Sequence, residues 1–129
     1  MTPGKLQQAQ LRRLRKGEQM TNYAVTLSRF GALLDSLRGS HLSFSGAMSD
    51  DCQRHNAHMA FQQKLDHSSG QCSGECVALI SAKSWSPADV VFELWSRSDK
   101  HREIMLKPAT VFGLAFYVSH NLIYATFRV

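Results

Sequence analysis

The closing segment, residues 110–129, constrains the fold of this chain more than any other part of it. Two apolar stretches, 110–118 and 122–129, are joined by Ser119-His120-Asn121. A short polar link between two such stretches indicates a β-hairpin. Neither strand alternates cleanly. Phe112, Leu114 and Phe116 face one side, while Val111, Ala115 and Tyr117 face the other. A hairpin that is apolar on both faces needs cover on both, so helices must sandwich an antiparallel sheet. Gly113, the one glycine in these strands, suits a close approach by a helix.

The helices to supply that cover are signalled upstream. Tyr23, Leu27, Phe30, Leu34 and Leu37 recur at helical spacing and predict an amphipathic helix over 21–38, with Asp35 and Arg38 on its wet side and Gly39-Ser40 at its end. Leu42 and Phe44 then anchor a loop. A second helix is expected over 47–65, with Met48, Cys52, His55 and Met59 on its buried face. His55 there reads as a hydrogen-bonded core histidine and Cys52 as a small core residue. Residues 75–80 read as a buried strand with Glu75 at its entry, and an acid in that place calls for a partner.

Ser86-Pro87-Ala88-Asp89 reads as a helix start: a capping serine, a proline that needs no N–H, and an acid at the positive end of the helix dipole. Val90, Val91, Leu94 and Trp95 follow at helical spacing. If the turn continues, Trp95, Ser98 and His101 share one side, just beyond the buried stripe. His101 is then either a cation capping a helix end or part of a polar site. Residues 104–106 form a short apolar turn that Pro108 stops.

With 129 residues, 43% of them hydrophobic and 19% charged, the chain is long enough for one domain with a real core. No apolar run approaches membrane-spanning length, and no apolar segment of secretory type follows the basic N-terminus. As written, the chain is expected to stay in the cytoplasm. The net charge is +5, of which +4 falls in residues 1–19, leaving +1 for the remainder. A broad phosphate-binding face is therefore not expected, nor is a nucleic-acid partner. Residues 1–19 read as a basic tail or a mis-annotated leader before a single domain over 20–129. Lys16-Gly17-Glu18 before Met20 is what a purine-rich ribosome-binding sequence would encode, which makes Met20 a candidate start. The cysteines number three, Cys52, Cys72 and Cys76, and no second pair completes a zinc site. A bridge between two of them belongs only in an oxidising compartment.

The assembled pieces resemble the CAP superfamily, the SCP-like extracellular proteins, in its bacterial form. Leu42 and Phe44, then Met48, Cys52, His55 and Met59-Ala60, are similar to the family's second-helix pattern. Leu65-Asp66-His67-Ser68 resembles the loop carrying the first site histidine. Gly74-Glu75-Cys76-Val77-Ala78 resembles Gly-Glu-Asn-Ile-Ala, with Cys76 in place of asparagine. Trp95-x-x-Ser98-x-x-His101-Arg102 resembles the bacterial Trp-x-x-Ser-x-x-His-Arg segment. Val111-Phe112-Gly113-Leu114 and Tyr124-Ala125-Thr126-Phe127 resemble the closing hairpin. The resemblance runs from about residue 42 to 129. It implies a three-layer α/β/α sandwich with a mainly antiparallel sheet and a cleft holding His67, Glu75 and His101. Ser98 stands where animal members carry a second acid; Glu93 reads as solvated helix surface. The first helix lacks the usual Asn-x-x-Arg, and the family is mostly exported; a phage or mobile-element origin would suit a leaderless chain.

The function expected on this basis is a binding or effector module rather than an efficient enzyme. His67, Glu75, Ser98 and His101 would face a small hydrophobic ligand such as a lipid, or His67 and His101 would loosely hold a divalent metal such as zinc. The competing expectation is a metal-assisted hydrolase, with His67 and His101 as ligands and Glu75 as general base or third ligand. No motif marks Ser98 as an activated nucleophile. A third is a structural interaction domain with a protein partner. Asp66-His67 and a distant His101 also bear a faint likeness to an HNH nuclease, but the metal finger and its middle asparagine are not where that fold needs them.

Overall fold

The computed structural model describes residues 18–68 and 72–129. The basic tail expected over 1–19 lies outside the described residues up to residue 17, as do Ser69, Gly70 and Gln71 of the polar loop. The elements in order are α1 (Glu18–Arg38), β1 (Ser43–Phe44), α2 (Gly46–Gln62), β2 (Glu75–Ser81), α3 (Pro87–Ser96), α4 (Asp99–Met105), β3 (Val111–Ser119) and β4 (Leu122–Arg128).

The hairpin closes as its sequence requires. His120 and Asn121 both take positive φ, 52° and 64°, which gives a two-residue loop whose twist matches the strands. The sheet order is β1-β3-β4-β2, antiparallel except for the short parallel pair of β1 with β3. In register, Cys76, Phe127 and Leu114 lie side by side on one face, and Glu75, Arg128 and Gly113 on the other. The first face is covered by α1, α3 and α4, with Phe30, Leu34, Val91, Trp95 and Met105 packed on Cys76, Leu114, Phe116, Ala125 and Phe127. The second is covered by α2, where Met59 and Ala60 meet Tyr124. This is the expected α/β/α sandwich.

Helix α2 carries more polar residues to the sheet than its apolar stripe suggested. Ser49 and Asn56 are buried beside Cys52, His55 and Met59. For Ser49 the reason is the shortness of β1, which leaves β3 an open edge beyond Phe112. Side chains close that edge: Ser49 Oγ accepts from Leu114 N, Gln53 donates to the Phe116 carbonyl, and Tyr23 Oη accepts from Phe116 N. Asn56 donates to the Ala115 carbonyl at 2.9 Å and accepts from Thr126 Oγ1 at 2.6 Å. A carbon built as Cβ on Gly113 would stand 2.6 Å from Met48 Cγ, so the glycine does permit the close approach of α2.

Three local expectations need correction. The second helix stops at Gln62, three residues early, because Gln63 turns into the left-handed region at φ 53°. Arg38 does not merely wet an outer face: it donates to the carbonyls of Met105 and Lys107, placing a cation at the negative end of α4. Asp35 likewise ties the turn after α1, accepting from Leu42 N and from the His41 ring.

Candidate functional site

The run through Trp95, Ser98 and His101 is not one continued helix. Arg97 ends α3, Ser98 is extended at φ −98° and ψ 122°, and a new helix starts at Asp99. Ser98 is the N-cap of α4, yet its hydroxyl makes no capping bond; it lies 2.8 Å from His101 Nδ1 instead. Buried Trp95 fixes the approach to this point by donating Nε1–H to the Val77 carbonyl at the edge of β2. Helix α4 then lies against the entry of β2. The Cys76 thiol donates to the His101 carbonyl at 3.7 Å, and a Cβ on Gly74 would clash with Ile104 at 2.8 Å. Gly74 is thus what lets α4, and with it His101, come down on the segment that carries Glu75.

Glu75 is buried, and every acceptor position on its carboxylate is in use. Oε1 accepts from Ser68 N at 2.9 Å and from His67 Nδ1 at 3.0 Å. Oε2 accepts from Ser68 Oγ at 2.6 Å and from Arg128 Nε at 2.8 Å. Burial alone pushes this carboxyl up. The bonds from Ser68, Arg128 and His67 outweigh it and hold the group down at about 2. His67 faces solvent with 62% of its side chain exposed. The His101 imidazole sits below its ordinary value because it is partly buried and because it lies within electrostatic reach of His67. So the loop after α2, the entry of β2 and the start of α4 do converge.

The family profile described as CAP, the cysteine-rich secretory protein family, matches residues 12–129. The chain belongs to the CAP family. Among solved structures, this CAP domain is similar to an outer surface protein from Borrelia burgdorferi. The TM-score is 0.58 at 14% identity, over 88% of this chain and 93% of that one. It is also similar to an extracellular protein containing an SCP domain from Bacillus anthracis, with a TM-score of 0.56 at 15% identity, over 78% of this chain and 39% of that one. No curated protein matches the sequence. At these identities the likeness to the two structures concerns the CAP fold alone.

Of the expected site residues, His67 and Glu75 are bonded to each other, Ser98 is bonded to His101, and His101 lies within electrostatic reach of His67. Two further residues of this CAP domain belong to the same network and were not anticipated: Ser68 and Arg128. Arg128 was open to inference, since a lone arginine in an apolar strand needs an acid as much as Glu75 needs a base. Both Glu75 oxygens and His67 Nδ1 are engaged, which leaves Nε2 as the His67 nitrogen open to a metal, and among the described residues no three His, Cys, Asp or Glu side chains gather as metal ligands. An open depression of about 550 Å³ lies along α4, lined by Asp99, Arg102, Glu103, Leu106, Lys107 and Pro108 rather than by the histidines. Among the described residues no helix is long and apolar enough to cross a membrane.

Proposed function

We propose that this CAP domain is a binding module for a small hydrophobic ligand, with His67 and His101 as the ligand-facing polar groups. One observation carries the preference for binding over hydrolysis. The Glu75 carboxylate is saturated with donors and held at about 2, so it has neither the basicity of a general base at neutral pH nor a free lone pair for a metal. Its role in this reading is to orient His67, in the manner of a carboxylate behind a functional imidazole. Apolar side chains stand exposed just before His67, Phe61 at 88% and Leu65 at 42%, which supports a hydrophobic ligand.

The test is solvent extraction of the purified full chain followed by mass spectrometry, beside a calorimetric zinc titration of the wild type and of His101→Ala. Extractable lipid near one equivalent, with no tight zinc binding, is the expected result. Tight one-to-one zinc binding abolished by His101→Ala would favour the metal-assisted hydrolase instead. Neither lipid nor zinc would leave a structural interaction domain.

A further inference from the structure

We infer that Arg128 is a positioning residue of this site: acting through Glu75 and Ser68, it fixes the His67 ring with its proton on Nδ1 and its Nε2 lone pair facing away from the carboxylate. The inference rests on the reading of His67 as a ligand-facing side chain.

Arg128 is the last residue of β4 and the register partner of Glu75 on β2, on the sheet face covered by α2. Its side chain is 9% exposed. Its bonds go to Glu75 and Ser68 rather than to either histidine. Its Nε donates to Glu75 Oε2 at 2.8 Å and its Nη2 to Ser68 Oγ at 2.7 Å. The same Ser68 hydroxyl donates onward to Oε2 at 2.6 Å. One guanidinium therefore grips two segments at once: the entry of β2 and the loop that carries His67.

The consequence is a forced division of the carboxylate. Oε2 is held toward Arg128 and the serine hydroxyl, which leaves Oε1 to the Ser68 N–H and to His67. A ring nitrogen that faces a carboxylate oxygen at 3.0 Å must carry a proton. In the neutral ring the other nitrogen, Nε2, is then the acceptor. The planar fork of arginine suits this task because its donors reach two acceptors in a fixed geometry, where an ammonium offers only a point charge.

The experiment is long-range ¹H–¹⁵N correlation spectroscopy on the labelled full chain, which reports the nitrogen that bears the proton in each histidine. In the wild type the Nδ1–H form of His67 is expected to dominate. In Arg128→Gln the Nε2–H form is expected to become the major one, and Arg128→Lys, which keeps a charge beside Oε2 but lacks the two-acceptor fork, to recover the wild-type form only in part. A folded Arg128→Gln protein whose His67 keeps the Nδ1–H form would overturn the inference, since loss of stability alone would not move the tautomer. If Arg128→Gln does not fold, Ser68→Ala removes one of the two anchors of the guanidinium. It is expected to shift the tautomer in the same direction, and an unchanged tautomer there overturns the inference equally. The proposed function fails separately: lipid content unaffected by His67→Ala, with a tautomer that still follows Arg128, would remove the ligand-facing reading and leave the positioning intact.

Discussion

Glu75 and Arg128, first residue of one strand and last of another, form a buried ion pair across the register of β2 and β4. The pair makes the stability of the domain depend on acid pH in a definite direction. The folded carboxyl is held at about 2 against an ordinary 4.5, so folding favours its ionised form. The resulting stabilisation is fully present above pH 4.5 and is lost as the pH falls toward 2. A shift of this size corresponds to about 3 kcal/mol. Chemical denaturation of the wild type and of Glu75→Gln between about pH 6 and 2 should show two stabilities that converge as the pH falls. A gap that stays constant would mean that Glu75 does not titrate low in the fold.

At neutral pH the same pair is expected to behave asymmetrically in a mutant cycle. Glu75→Gln leaves the guanidinium of Arg128 buried without its counter-charge, which costs about 3–5 kcal/mol. Replacing both residues by apolar ones of similar size, Glu75→Leu with Arg128→Met, should recover most of that loss. Urea denaturation of Glu75→Leu, Arg128→Met and the double variant measures the coupling directly. A double variant no more stable than the worse single one would show that the serine and histidine bonds, rather than the ion pair, hold this corner together.

The sheet's contact with α2 gives a prediction at two glycines. Gly113→Ala places a methyl 2.6 Å from Met48 Cγ and 2.8 Å from the Met48 backbone carbon, so helix or strand must shift. Overpacking of this kind costs about 1–3 kcal/mol. Gly46, at the start of the same helix, has open space around its missing Cβ. Gly46→Ala is therefore expected to be neutral or to stabilise by up to about 1 kcal/mol, through the less flexible unfolded chain. Thermal melts of the two variants should move in opposite directions from the wild type, or the Gly46 variant should not move at all.

Much of this architecture is legible in local sequence. The two-faced hairpin demands a sandwich, Gly113 marks the close approach of a helix, and Ser86-Pro87 marks a helix start at the residue where one begins. The resemblance named His67, Glu75 and His101 together, and the fold brings their segments together. What local pattern could not reveal depends on long-range pairing. Arg128 lies 53 residues from Glu75, and only the register of β2 on β4 makes them partners. Ser49 sits on the buried face of α2 because β1 is two residues long and leaves Leu114 N without a strand partner, and Asn56 because it bonds the Ala115 carbonyl of β3 and Thr126 Oγ1 of β4; both are facts about the sheet and not about the helix. The break at Ser98 was hidden by spacing that suits both a continued helix and a capped new one. The chain turns there so that α4 can pack on the entry of β2.

The three thiols should differ sharply in reactivity. Cys52 and Cys76 are fully buried, one on the sheet-facing side of α2 and the other under α4, and burial pushes each thiol up to about 12. Neither presents a thiolate or a path for a reagent near neutral pH. Cys72 is half-buried in the segment before Gly74; burial raises it too, with the nearby Glu75 charge adding to the effect. It is still the one thiol among the three within reach of solvent. With an aromatic disulfide reagent at about pH 8, the native protein is expected to release one equivalent slowly, and the denatured protein three. Cys72→Ser should abolish the native reaction. A second native equivalent would have to come from beneath a helix. If it persisted in Cys52→Ser and vanished in Cys76→Ser, it would identify α4 as the helix that opens, and would mark the His101 side of the site as the part that moves.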